Sequence, residues 1–188
     1  MENNKTDSLY NEAIKKSKLP VPQTWDKYTN RRIKTLHPLM RWYFATAINN
    51  CEKNHGVFVR LTDAFRSFDI QDRKFGEGRT REECISHGVN PSYAKPRFAW
   101  KTNAVGGKSF HNYGLAGDVC EIRKKQALWA TANWKIIAEE FKKLGFQWLF
   151  DIMGKDKPHF QMPFGFKINE LIALHQNNKY KNGFLILK

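Results

Sequence analysis

Two short segments carry side chains whose types and spacing can do chemistry. One is Ser109-Phe-His-Asn-Tyr-Gly-Leu-Ala-Gly-Asp118, the other Asp156-Lys-Pro-His159-Phe-Gln. Between them they supply two histidines and two carboxylates. His111, Asp118 and His159 suffice for a catalytic zinc, which takes three nitrogen or oxygen ligands from the protein and keeps a fourth position for water. Asp156 is then left over as a base. Zinc lowers the pKa of its water to about 7, so a carboxylate close by can take the proton near neutral pH, which is the chemistry of amide hydrolysis.

The chain around these residues must bring them to one place. Asn112 and Gly114 favour a turn, so the backbone can double back between His111 and Asp118. Leu115 to Arg123 alternates in character and predicts a strand, with Ala116, Asp118, Cys120 and Ile122 on a buried face. Asp118 is therefore expected to point inward, where a carboxylate needs a partner and a cation is one. Ala116 and Gly117 are small and leave space beside it. Pro158 lies inside Asp-x-x-His, and its fixed φ and missing N–H exclude the helical arrangement of a His-Glu-x-x-His protease. A turn running into a strand is expected instead, with His159 and Gln161 facing one way and Phe160 the other.

The remaining elements follow from periodicity and punctuation. Residues 1–28 are polar and then broken by Pro20 and Pro22, and read as an arm laid over the domain. Pro38 opens a helix that Gly56 closes, residues 57–62 predict a strand, and Ser67 and Thr80 cap two short helices. Residues 89–108 hold two prolines and two glycines without a stable period and are expected to form a long loop. Trp134 to Leu144 has helical spacing, with Glu139 and Lys143 able to pair along it. Residues 146–150, 159–162 and 184–187 are strand candidates and 169–177 a helix. This unalternating order predicts an α+β fold, a small central antiparallel sheet with flanking helices. The other histidines read as structural: His37 as a cap, His55 and His87 before helix-ending glycines, His175 on a polar helix face.

At 188 residues, 41% apolar, with fourteen Phe and six Trp, the chain can bury one self-sufficient core, so residues 29–188 are expected to form a single domain with no room for a separate second one. Cys51, Cys84 and Cys120 are odd in number and widely spaced, against a disulfide framework or thiolate zinc site. A formal charge of +14 implies attraction to a polyanion, without a basic helix or Arg-rich tract to single one out. The N-terminal residues show no signal peptide and no apolar run is long enough for a membrane span, so synthesis in a cytosol is expected.

Ser109-x-His111-x-x-Gly114-x-Ala116-x-Asp118 followed by Asp156-x-Pro158-His159-Phe160 closely resembles the zinc peptidases of the D-alanyl-D-alanine carboxypeptidase and L-alanyl-D-glutamate endopeptidase family, to which several phage endolysins belong. The resemblance continues in Leu36-His-Pro38, Phe65-Arg66-Ser67 with Gln71, Gly78-Arg79-Thr80, and Lys101-Thr-Asn-Ala104. It implies a hedgehog-like and D-Ala-D-Ala-peptidase-like fold, zinc on His111, Asp118 and His159, Asp156 as general base and then acid, and Arg66 stabilising the developing oxyanion. Ser109 and Gln71 would be supporting groups that bind near the substrate. A fixed guanidinium suits the oxyanion role, since charge appears there only in the transition state. Two departures stand out. Family members often carry Gly-Gly where this chain has Leu149-Phe150, and Glu where it has Gln161. Both positions are expected to border the substrate groove and to bear on which bond is cut.

The resemblance implies a monomeric endopeptidase of peptidoglycan stem peptides, a phage-type lysin acting on the wall after release, with the positive charge holding it near anionic envelope polymers. A D,D-carboxypeptidase is the alternative within the family. A non-catalytic zinc module, as in the hedgehog signalling domain, is disfavoured by Asp156. A nucleic-acid binder is disfavoured by the lack of an RNP strand, helix-turn-helix or Cys/His finger.

Overall fold

A computed structural model describes residues 2–187, and the side chains of residues 6–187. In chain order the helices are α1 (Glu2–Lys16), α2 (Lys27–Ile33), α3 (Pro38–His55), α4 (Phe68–Gly76), α5 (Arg81–Ser86), α6 (Trp134–Lys143), α7 (Leu149–Met153) and α8 (Ile168–Gln176). The strands are β1 (Val59–Asp63), β2 (Ala116–Arg123), β3 (Gln126–Leu128), β4 (Gln147–Trp148), β5 (His159–Gln161), β6 (Tyr180–Lys181) and β7 (Phe184–Leu185). Single 3-10 turns occur at Pro91–Tyr93 and Phe110–Tyr113. The described residues group into two compact units, one of residues 2–65 and 114–166, the other of 66–113 and 167–187.

The first unit holds the sheet, in the order β1-β2-β5-β4 with β3 beside β2, all antiparallel. The α+β expectation is met. Register sets Asp63 opposite Asp118 and Asp118 opposite His159, so three strands place side chains in one transverse row. One face of the sheet is sealed by rings. Phe44 of α3 packs against Phe141 and Phe146, and Phe141 against Phe160 of β5, at centroid distances of 4.3–5.7 Å. Gly117 allows this approach: a Cβ there would lie 2.7 Å from Leu61 Cδ1 and 2.8 Å from Phe44 Cζ. Phe44, Phe141 and Phe160 are all fully buried, and each contributes about 1.5–3 kcal/mol of transfer free energy.

The caps read from sequence are present. His37 Nδ1 accepts from Leu39 N–H at the start of α3, and Gly56 closes that helix at φ +65°. Gly114 at φ +68° makes the turn before β2, its carbonyl accepts the His37 N–H at 3.1 Å, and a Cβ on it would sit 2.5 Å from that nitrogen. Residues 1–28, read as an arm, contain α1, whose Tyr10 and Ala13 are buried, with Tyr10 edge-on to Phe164. Trp25 then donates its indole N–H to Val59 O, tying the proline-rich stretch to β1.

In the second unit, Ser67 caps α4 and a Thr80–Glu83 capping box opens α5. Its apolar cluster is small: Phe75, Cys84 and Val89, with Tyr93, Ala94 and Val105 against them. Arg79 supplements it. The guanidinium lies between the rings of Phe75 and Trp100, 3.5 and 3.6 Å from their centroids, and donates to the carbonyls of Phe75 and Thr102. Residues 89–108 are a long loop, as expected, apart from the 3-10 turn.

Several details differ from the sequence reading. Residues 146–150 give only the two-residue β4 before the chain turns into α7, which Gly154 ends at φ +66°. Residues 184–187 contribute β7 to a separate two-stranded hairpin with β6, not to the main sheet. Lys143 pairs with Glu140, not Glu139. Cys51, Cys84 and Cys120 are buried free thiols. Among the described residues no helix is long and apolar enough to cross a membrane.

Candidate metal centre and active site

Asp118 and His159 are brought together by the pairing of β2 with β5. Nδ1 of His159 lies 3.3 Å from Oδ1 of Asp118. Two donors held tetrahedrally at zinc distances of about 2.0–2.1 Å are roughly 3.3 Å apart, so this pair already has the spacing of two ligands on one ion. Its other ring nitrogen, Nε2, is 3.0 Å from Oε1 of Gln161. Burial by itself lowers the pKa of His159, but the hydrogen bond and charge of Asp118, then the charge of Asp156, outweigh it and hold the imidazole above its ordinary value.

The setting of Asp118 differs from the alternation read in sequence. β2 is covered on both faces, with Val119 and Cys120 fully buried and Glu121 nearly so, whereas the Asp118 side chain stays one-fifth exposed (20%). A central strand is shielded by its neighbours on either side, and the carboxylate occupies an opening in that cover.

Asp156 is exposed and adopts φ +65°, a left-handed conformation that Asp tolerates better than most residues. Its carbonyl accepts the His159 N–H at 3.3 Å, Pro158 O accepts Val119 N–H at 3.0 Å, and Trp148 donates its indole N–H to Lys157 O at 2.6 Å. The turn into β5 expected from Pro158 is therefore present and tied down on both sides. Gln161, expected to border a groove, is instead buried, with its amide engaged by His159 and by Gln147.

Arg66, Gln71 and Ser109 are positioned by side-chain amides more than by strand register. Arg66 is buried, and its Nη1 donates to Gln71 Oε1 at 3.3 Å. Gln71 is fully buried, and its Nε2 donates to Ala104 O at 2.8 Å and Thr102 Oγ1 at 3.3 Å. The Arg66 backbone N–H donates to His111 O at 3.1 Å. Asn112, which sequence reasoning treated only as a turn former, donates to Arg66 O at 3.0 Å and accepts from the backbone N–H groups of Gly107 and Ser109 at 3.0 and 3.2 Å. Ser109 Oγ accepts the His111 N–H at 3.3 Å. An Asn beside a histidine in a Gly-rich loop was the only available signal for that keystone.

The third residue of the candidate set, His111, lies in the second unit on the 3-10 turn Phe110–Tyr113, while Asp118 and His159 lie in the first. Both histidines are buried. Two imidazoles and one carboxylate, without a thiolate, fit zinc with a position left open.

The chain is similar to known proteins. A family model described as D-alanyl-D-alanine carboxypeptidase matches residues 102–162, which contain all three of those side chains and Asp156. The peptidoglycan L-alanyl-D-glutamate endopeptidase CwlK of Bacillus subtilis (strain 168) is 34% identical over 139 residues, 68% of this chain and 73% of CwlK. The crystal structure of the Serratia marcescens L-Ala D-Glu endopeptidase ChiX shares the fold, with a TM-score of 0.50 at 17% identity over 73% of this chain and 88% of that one. The chain belongs to the D-alanyl-D-alanine carboxypeptidase and L-alanyl-D-glutamate endopeptidase family of zinc metallopeptidases.

Proposed function

We propose that this chain is a zinc-dependent endopeptidase that cuts peptidoglycan stem peptides between L-alanine and D-glutamate, with residues 29–188 working as its catalytic domain. The observation that carries the reading is the Asp118–His159 pair at ligand spacing on adjacent strands. The specific bond is supported by the 34% identity to CwlK.

In this reading His111, Asp118 and His159 hold the ion. Zinc, when bound, supplies a Lewis acid and a water that ionises near neutral pH. Asp156 accepts the proton of the attacking water, a role its exposed position in the turn before β5 supports. The same carboxyl then gives that proton to the leaving nitrogen as the C–N bond breaks, so one water is added across the amide. Arg66 faces the charge that develops on the carbonyl oxygen. Gln71 acts through Arg66, since its own amide is occupied within the fold, and Ser109 sets the turn that carries His111. The chain's charge of +14 favours anionic envelope polymers, which suits a phage-type lysin released from the cytosol onto the wall. Binding to sacculi should weaken as salt rises, because exposed charges are screened beyond about 10 Å at 0.1 M.

The test is mass spectrometry of muropeptides released from purified sacculi, with and without a chelator. Fragments carrying a new N-terminal D-glutamate, absent after chelation, are expected. Loss of terminal D-alanine alone would assign the D,D-carboxypeptidase instead.

A further inference from the structure

We infer that Gln161, backed by Gln147, is a positioning residue that decides which nitrogen of His159 meets the metal. The inference rests on His159 being a ligand, and it deepens that reading by naming what orients the ring. On β5, His159 and Gln161 share a face. Gln161 stands opposite Ala116 on one side and Gln147 of β4 on the other. The Ala116 side chain is fully buried and apolar, and the amide of Gln161 is engaged along β5 by His159 and across to β4 by Gln147. His159 Nε2 lies 3.0 Å from Gln161 Oε1, and Gln161 Nε2 donates to Gln147 Oε1, also at 3.0 Å.

The direction of this row has a chemical consequence. With Gln161 presenting its oxygen, Nε2 of His159 carries a proton, so the nitrogen that gives up its proton to an ion is Nδ1, on the Asp118 side. Turning the amide over would make Nε2 the acceptor, move the proton to Nδ1, and remove the donor nitrogen from the ligand pair. A hydrogen-bond acceptor behind a ligating imidazole fixes its tautomer and raises its basicity. The acceptor here is a neutral amide whose orientation is supported from Gln147, a weaker grip on the proton than a carboxylate would give.

Two readouts independent of catalysis test this. The first is zinc affinity, measured by competition with a chelating dye. Gln161→Leu should bind zinc about 10–100-fold more weakly than wild type, the usual cost of losing such a partner. Gln161→Glu should bind at least as tightly as wild type, and Gln147→Leu should lose less than Gln161→Leu. The second is the His159 tautomer in the zinc-loaded wild-type protein, read from long-range nitrogen–proton couplings, where the proton is expected on Nε2. Gln161→Leu binding zinc as tightly as wild type, or a proton found on Nδ1, would overturn the inference. Should Gln161→Leu fail to fold by circular dichroism, the wild-type tautomer still decides. A wild-type protein that binds no zinc would sink the metal reading itself, a different result from equal affinities.

Discussion

The strand-held residues and the loop-held residues reach order by different means. Asp118 and His159 sit on β2 and β5, where register fixes the backbone and a layer of fully buried rings, Phe44, Phe141 and Phe160, fixes the sheet. Arg66, Gln71, Ser109 and His111 come from residues 66–113, where the apolar cluster is small and the order is carried by the amides of Gln71 and Asn112 and by the Arg79 guanidinium. The strand-held ligands should therefore answer to changes in packing, and the loop-held groups to loss of single hydrogen bonds. The sheet holds Asp118 and His159 at a set spacing, while the third proposed donor, His111, is supported in the loop-ordered region. Charge stabilisation and substrate fit tolerate, and in many enzymes use, a more adjustable support.

The largest effect is expected from Phe44→Ala. It should cost about 3–5 kcal/mol and lower the midpoint of thermal denaturation, with zinc binding lost only as the protein unfolds. A variant that keeps its stability would break the claim that rings hold the ligand strands. Next in size is Asn112→Ala, which leaves buried N–H and C=O groups unpaired at about 1–3 kcal/mol. Hydrogen exchange should speed up at Gly107 and Ser109 while the amides of β2 and β5 keep their protection. Equal acceleration in the strands would erase the distinction between the regions.

Gln71→Met preserves volume but removes the acceptor on Arg66. Turnover should fall by roughly fivefold to tenfold, the worth of one hydrogen bond of about 1–1.4 kcal/mol, with zinc affinity unchanged; weakened zinc binding would show that the Gln71–Arg66 contact also sets His111, whose carbonyl accepts the Arg66 N–H. The smallest effect lies far from the chemistry. Burial would raise the pKa of Asp26, but hydrogen bonds from Arg60 and Thr29 lower it below its ordinary 3.8. Its folded pKa being depressed, its stabilisation is complete above 3.8 and is lost as the pH falls through the folded value. Acid titration of wild type and Asp26→Asn by circular dichroism should show a shallower loss of stability in the variant below about pH 4, and parallel curves would contradict that linkage.

Much of this was legible in the residues because the chemistry and the backbone signals coincide. Pro158 inside Asp-x-x-His forces a turn and then a strand, and β5 begins at His159. Gly114 marks the turn before β2 because no side chain fits against His37. What stayed hidden depends on contacts distant in sequence. β4 is two residues long and exists through its pairing with β5, so the apolar run 146–150 could not show where strand gives way to α7. Asp118 looked buried because alternation reports one covered face, and β2 is covered on two. Gln161, expected at a groove from its departure from the family pattern, is buried through a partner, Gln147, that lies fourteen positions away.

The central claim is that three side chains hold zinc and Asp156 moves the proton. Asp156→Ala answers it most directly, with zinc content and stem-peptide cleavage measured on the same sample. The variant is expected to keep one zinc per chain and to lose about 100-fold to 10,000-fold in turnover on purified sacculi, the usual contribution of a general acid–base. Unimpaired cleavage by the zinc-loaded variant would contradict the account.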